Sequence, residues 1–331
     1  MSTTSKPHIV FSRPCTCRID EHAYHEIDCE AASCGKHLKK TWEYLQNEKV
    51  DIFVGGRFSE KIAFWRGLRS FYSRLPYKMI LLDNEWHCRY RNERTLSKIC
   101  RKNASIIQRR IIVRGASYCQ VFTEAERDVY ADFYGIDRKK LVFIPYCSQL
   151  DASIYHPQKG NYLFTGGLND RDYPTFFNAI RGLPVQIRIA APKEHFANYI
   201  IPENVVLLGK VPKEEYFTQL AQSKAVVLPL EYSSLRYPGI ITYVEAMRLG
   251  KAVIVNDPIG AKDYITNRES GLLVPNRDVQ ALREAIVELL DDAALLENLE
   301  RKGLEHSHKN LGYDRYFRDI DALIEKVLSE P

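Results

Sequence analysis

The chain has 331 residues, 45% hydrophobic and 27% charged, more than one hydrophobic core usually serves and the ordinary composition of a two-domain globular protein. No run approaches the roughly 18 apolar residues of a membrane-spanning helix, and MSTTSKPHIVF lacks the apolar core of a secretory signal, so a cytoplasmic location is expected. The net charge of +5 hides an asymmetry: residues 1–150 carry 26 Lys and Arg against 17 Asp and Glu, residues 151–331 carry 21 against 25.

Along the chain, short apolar runs alternate with helical patterns, the signature of parallel sheets built from strand-helix-strand units. In the first half the predicted strands are His8–Ser12, Asp51–Gly55, Lys78–Asp83, Tyr118–Thr123 and Leu141–Pro145. The segment 92–116 reads as helical and carries Leu96, Ile99, Ile106 and Ile107 among its charges, so part of it can pack one face on a sheet. A break at Gln149–Gly160, rich in Ser, Asp, Pro and Gly, is the expected hinge. Beyond it the strands are Asn161–Thr165, Val185–Ala190, Val205–Leu208, Ala225–Pro229, Ala252–Asn256 and Gly271–Val274, and Asp314–Leu328 is an amphipathic helix. The expected domains are therefore 1–150 and 151–310, followed by a C-terminal helix at 311–331. All eight cysteines lie before residue 150, but their close pairs read C-x-C and C-x4-C, not the paired C-x2-C of a zinc ribbon, so free thiols are expected.

Chemistry concentrates in Ala225–Pro275, AVVLPLEYSSLRYPGIITYVEAMRLGKAVIVNDPIGAKDYITNRESGLLVP. Its order of buried strand, polar loop, helix and buried strand puts a helix N-terminus at the carboxyl edge of a parallel sheet. Amides near Gly239, Ile240 and Ile241, together with the helix dipole, suit a diphosphate there. Glu245 lies about one and a half turns into that helix and needs partners if buried. Two vicinal ribose hydroxyls, or an internal salt bridge, would supply them.

The run from Pro238 to Pro275, with EAM, GKAVIV, G-x-x-D-Y-I and GLLVP, resembles the donor-binding signature of family 4 glycosyltransferases of the GT-B fold. Ala116–Pro145 is similar to the segment that closes the N-terminal domain of that family, and NYLFTGGLNDRDYPTFFNAIRGLPVQIRIA to the first unit of its C-terminal domain. The resemblance covers Ala116 to about Asp292 in the expected order. It implies two Rossmann-like domains facing a cleft, no metal, no cofactor, and retention of anomeric configuration. On individual positions it implies that Glu245 holds the ribose, that Gly239, Ile240, Ile241 and Thr242 grip the phosphates, and that the backbone of Val211 meets the nucleobase. The chain departs from the family twice. Tyr237 stands where the family's first motif glutamate would be, and the G-R-L-x3-K loop reads Gly166-Gly167-Leu168-Asn169-Asp170-Arg171-Asp172. Arg171 is the expected phosphate cation, helped by Arg236 or Lys262; an ordinary solvated arginine is the alternative.

Asp170-Arg171-Asp172 also spells D-x-D, a manganese motif of another glycosyltransferase architecture, but Asp-Tyr-Pro equally suits the start of a helix. In the first half, LLDNEWHCRYR groups Asp83, Glu85 and His87, the candidates for the acceptor side. His87 matches a family histidine that approaches the donor sugar; a structural histidine is the alternative. Arg57–Arg114 holds 15 Lys and Arg against 4 Asp and Glu, interleaved with Phe64, Trp65, Phe71, Tyr72, Tyr77, Trp86 and Tyr90. That mixture suits an anionic membrane face, or a soluble basic face with core aromatics; no nucleic-acid module accompanies it, so nucleic acid is not an expected partner. The expected activity is transfer of a sugar from a nucleotide-diphosphate donor to a glycan or lipid-linked acceptor. The rivals are a nucleotide-sugar epimerase and a noncatalytic sugar-nucleotide-binding scaffold.

Overall fold

The structure, a computed structural model, describes residues 7–11, 24–26, 34–56, 59–82, 95–148, 150–167, 170–231, 238–256 and 260–330. The chain splits into two compact units, 1–144 with 317–331, and 145–316.

In the first unit the elements are β1 (Ile9–Phe11), β2 (Tyr24–Glu26), α1 (Cys34–Asn47), β3 (Ile52–Gly55), α2 (Glu60–Arg69), β4 (Lys78–Leu81), α3 (Thr95–Gly115), β5 (Tyr118–Val121), α4 (Glu124–Tyr134) and β6 (Leu141–Phe143). They form a parallel sheet in the order β2-β1-β3-β4-β5-β6. Strands such as IFVG and YCQV are buried along their whole length, as parallel strands covered on both faces must be. Helix α4 begins at a capping box, with the Thr123 hydroxyl accepting from Glu126 N–H and the Glu126 carboxylate accepting from Thr123 N–H.

Helices α2 and α3 pack backbone to backbone. A Cβ on Gly67 would fall 1.8 Å from the Ile111 carbonyl oxygen, and one on Gly115 1.9 Å from that of Ala63, so only glycine permits the crossing. Of the apolar residues expected to pack, Ile106 is half-buried. Ile107 is 57% exposed, while Ile112 and Val113 further along are buried.

The second unit contains α5 (Ala152–Tyr155), β7 (Tyr162–Gly166), α6 (Tyr173–Ile180), β8 (Gln186–Ala190), β9 (Val205–Leu207), α7 (Lys213–Ala221), β10 (Ala225–Leu228), α8 (Ile240–Arg248), β11 (Ala252–Asn256), β12 (Leu272–Val274), α9 (Val279–Asp291) and α10 (Ala293–Asn310). Its parallel sheet has the order β12-β11-β10-β7-β8-β9. Helix α11 (Tyr313–Ser329) follows and buries Phe317, Ile320, Leu323, Ile324 and Val327.

Every strand predicted from the sequence is present; β2, with the polar sequence YHE, carries no apolar run and was not predicted. The domain limits are corrected. The division falls between Ile144 and Pro145 rather than within Gln149–Gly160, and most of α11 joins the first unit instead of standing alone. Tyr146, Leu150, Ala152 and Tyr155 pack on the core of the second unit, which draws the expected hinge into it. At the other end Lys78 Nζ donates to the carbonyls of Val327 (2.8 Å) and Glu330, the Tyr118 hydroxyl donates to the Glu330 carboxylate, and Lys326 lies over the Tyr118 ring.

Candidate functional site

In the second sheet the chain runs from β7 outward to β8 and β9, then returns to the other side of β7 for β10, β11 and β12. The loops after β7 and β10 therefore leave neighbouring strand ends for helices packed in different core clusters, α6 and α8, and this carboxyl edge at a switch point is where doubly wound folds hold their ligands. The two loops are tied to each other: Asp172 N–H donates to Pro229 O (2.8 Å) and Glu231 N–H to Asp170 O (2.9 Å).

Gly166 ends β7 and Gly167 turns the chain with φ +97, a conformation L side chains rarely adopt. Both glycines are backbone platforms for larger groups. A Cβ at Gly166 would lie 2.5 Å from the Tyr216 ring, and one at Gly167 would lie 2.7 Å from an Arg171 terminal nitrogen. Arg171 Nε donates to Gly166 O at 3.0 Å, and burial lowers the pKa of its guanidinium, which stays protonated. Tyr216, on α7, comes within 3.4 Å of the Thr242 hydroxyl in the first turn of α8. Gly166, Gly167, Arg171 and Thr242 thus stand in one cluster, and Arg171 is a half-buried member of it rather than a solvated loop residue.

Gly239 starts α8 at φ +85, closely backed by the Leu230 side chain. The amides of Ile240, Ile241 and Thr242 belong to the first turn and have no acceptor within the helix. Ile241 is 55% exposed, so this turn faces outward. Asp172 accepts from Thr175 N–H as the N-cap of α6, and Asp170 sits in a left-handed turn at φ 54. The helix-start reading of the D-x-D triplet is the one the structure carries. Among the described residues there is no cluster of three or more His, Cys, Asp or Glu side chains that could hold a metal ion.

Glu245 is 4% exposed. The internal salt bridge is not what satisfies it: among the described residues its partners are two hydroxyls. Tyr146 Oη donates to Oε1 at 3.0 Å and Ser148 Oγ donates to Oε2. Burial raises the carboxyl pKa; the two hydroxyls, then Lys213 and Arg248, pull it back down. Lys213 opens α7 two residues after Val211, which is half-buried in the loop leaving β9. Tyr146, Ser148, Lys213 and Tyr216 were not singled out in the sequence. For Lys213 and Tyr216 a signal existed, since both lie on the helix that directly follows Val211.

Asp83, Glu85, His87, Arg236 and Tyr237 fall outside the described residues. Of the two cysteine side chains described, Cys119 is buried in β5 and its thiol is pushed up to about 12, and Cys147 is half-buried; neither forms a disulfide among the described residues. The basic segment of the first unit divides. Arg66 is buried, donates to Gly115 O (3.0 Å) and Tyr77 O (2.5 Å), and stacks on the Tyr77 ring, while Arg109 pairs with Glu60 at 3.0 Å. Trp65, Phe71 and Tyr72 are 59%, 57% and 92% exposed, with Arg114 over the Phe71 ring.

A doubly wound α/β unit with a helix N-terminus at its switch point and a buried carboxylate behind it defines the class. Residues 189–306, which include α7, α8 and Glu245, match the family model for group 1 glycosyl transferases. An exopolysaccharide phosphotransferase of Streptomyces coelicolor is 33% identical over 106 residues, 32% of this chain and 11% of that protein. A GDP-mannose-dependent monoacylated alpha-(1-6)-phosphatidylinositol monomannoside mannosyltransferase of Corynebacterium glutamicum is 33% identical over 95 residues, 28% of this chain and 25% of that protein. The matches thus span no more than a quarter of these two relatives. Sucrose-phosphate synthase of Thermosynechococcus elongatus has the same fold, with a TM-score of 0.67 and 16% identity over 97% of this chain and 89% of that one.

Proposed function

We propose that the protein is a retaining, metal-independent glycosyltransferase of family 4 that moves a sugar from a nucleotide-diphosphate donor to a hydroxyl of a glycan or lipid-linked acceptor. The observation that carries this reading is the placement of Glu245 and the Gly239–Thr242 turn on one helix at the switch point, inside the segment that matches the group 1 model. Glu245 holds the ribose diol, and the amides of Ile240, Ile241 and Thr242, with Arg171, hold the diphosphate. Val211 lies beside the base. In the transfer the bond from the anomeric carbon to the phosphate oxygen breaks, a bond to the acceptor oxygen forms, and the acceptor proton passes to the leaving phosphate. Helix-terminal amides and a cation stabilise the charge on that phosphate in place of a metal. His87 and the neighbouring Asp83 and Glu85 are assigned to the acceptor side. Thermal unfolding with a panel of nucleotide sugars, including UDP-glucose and GDP-mannose, tests the donor site. The expected result is stabilisation by one diphosphate sugar, unchanged by EDTA. Strict manganese dependence would remove the metal-independent element, and release of epimerised nucleotide sugar with no transfer product would favour an epimerase.

The first unit supports a second element, docking on an anionic bilayer from the cytoplasmic side. Trp42, Trp65 and Arg69 line one groove of about 410 Å³, and Phe71, Tyr72 and Arg114 extend the aromatic and cationic surface. Sedimentation with phosphatidylglycerol vesicles should recover the protein at low salt, and the triple variant Trp65→Ala, Phe71→Ala, Tyr72→Ala should stay in the supernatant.

A further inference from the structure

Resting on the assignment of Glu245 to the ribose, we infer that Tyr146 and Ser148 are positioning residues that hold the Glu245 carboxylate for the diol, making the segment after Pro145 part of the nucleotide site. The geometry is closed on the protein side. The Ser148 hydroxyl accepts from Leu150 N–H at 3.1 Å and donates to Oε2; the Tyr146 hydroxyl donates to Oε1. Among the described residues one hydroxyl therefore reaches each oxygen, and because each carboxylate oxygen has two acceptor positions, these residues leave one position per oxygen for a vicinal diol.

The segment itself is fixed by two backbone anchors. Tyr146 N–H donates to the Tyr264 hydroxyl at 2.9 Å, and the Tyr264 ring meets the Tyr243 ring edge-on two residues before Glu245. Ser148 N–H donates to Leu311 O at 2.9 Å. Backbone anchors of this kind set the two side-chain hydroxyls without help from the ligand, so the carboxylate plane is oriented before a nucleotide arrives. Because both hydroxyls donate, they favour the ionised carboxylate and oppose the burial that drives it toward protonation. Other charged groups facing it are Lys213 on α7 and Arg248 on α8, and both act in the same direction as the hydroxyls.

The test compares UDP and GDP with their 2′,3′-dideoxy analogues by titration calorimetry on the full chain, for the unmodified protein, Ser148→Ala, Tyr146→Phe and Ser148→Thr. The unmodified protein should prefer the diol-bearing nucleotide. Ser148→Ala and Tyr146→Phe should each weaken it about tenfold, leave the dideoxy nucleotide unchanged, and move the loss of diol binding to higher pH. Ser148→Thr, which keeps a hydroxyl, should restore the preference. A structural role alone would weaken both nucleotides equally and overturn the inference, and so would a diol preference that survives Ser148→Ala. Should Tyr146→Phe not fold, Ser148→Ala and Ser148→Thr decide the outcome. If the unmodified protein does not distinguish diol from dideoxy nucleotide, the ribose assignment falls and this inference falls with it.

Discussion

The two units bury charge in opposite ways. In the first, Arg66 lies under α3 with its guanidinium bound to the Gly115 and Tyr77 carbonyls and stacked on an aromatic ring, and Arg109 is closed by Glu60. In the second, Glu245 is equally buried, and among the described residues its hydrogen-bond partners are two hydroxyls, one per oxygen, with Lys213 and Arg248 acting on it through charge alone. A charge absorbed by backbone carbonyls and an ion pair braces the fold. A carboxylate held by two neutral donors is oriented and can accept further hydrogen bonds, which is the condition a ligand requires.

Three measurements would break or sharpen this contrast. The largest effect is expected from Arg66→Met, which should destabilise the first unit by about 3 kcal/mol in urea unfolding, since two buried carbonyls lose their donor and a stacking partner goes. Nucleotide affinity in the folded fraction should not change. Glu245→Gln should do the reverse. An affinity loss of about tenfold is expected with a stability change of about 1 kcal/mol, because the amide end of glutamine cannot accept from one of the two hydroxyls. Equal stability losses in the two variants would show that both charges are structural.

The smallest effect is a pH dependence with opposite signs in two readouts. Burial raises the Glu245 pKa in the folded chain, so the folded state holds the extra proton between the ordinary carboxylate value and the raised one. Stability from this group is greatest below that window and declines as pH rises through it. Diol binding needs the carboxylate and should strengthen over the same window. Parallel profiles by thermal unfolding and calorimetry, flattened together in Glu245→Gln, would establish the link; profiles moving in the same direction would refute it.

Much of the fold was legible because fully buried parallel strands are continuous apolar runs: AVVL and AVIVN become β10 and β11, paired Ala225 to Ala252 and Leu228 to Val255. The helix N-terminus at Gly239 was legible from Pro238-Gly239 between a strand and an apolar helix. Tyr146 and Ser148 were not, because they stand 99 and 97 residues from the carboxylate they serve and are joined to it only by tertiary folding. Their segment looked like a linker, since Ser, Gln and Asp there give no apolar periodicity. The close crossing of α2 and α3 was hidden for a different reason: it rests on Gly67 and Gly115, and glycine contributes nothing to a hydrophobic pattern.

The anchoring of the last turn on the first sheet has a consequence for how the chain is made. Lys78 and Tyr118 wait for carbonyls and a carboxylate that leave the ribosome after the whole second unit. The earlier half has all the strands of its sheet by residue 143 but lacks the helix that packs with it while about 170 further residues are synthesised, until residues 317–331 come back to it. Order of synthesis and order of completion are thereby reversed, and the unit begun first is finished last.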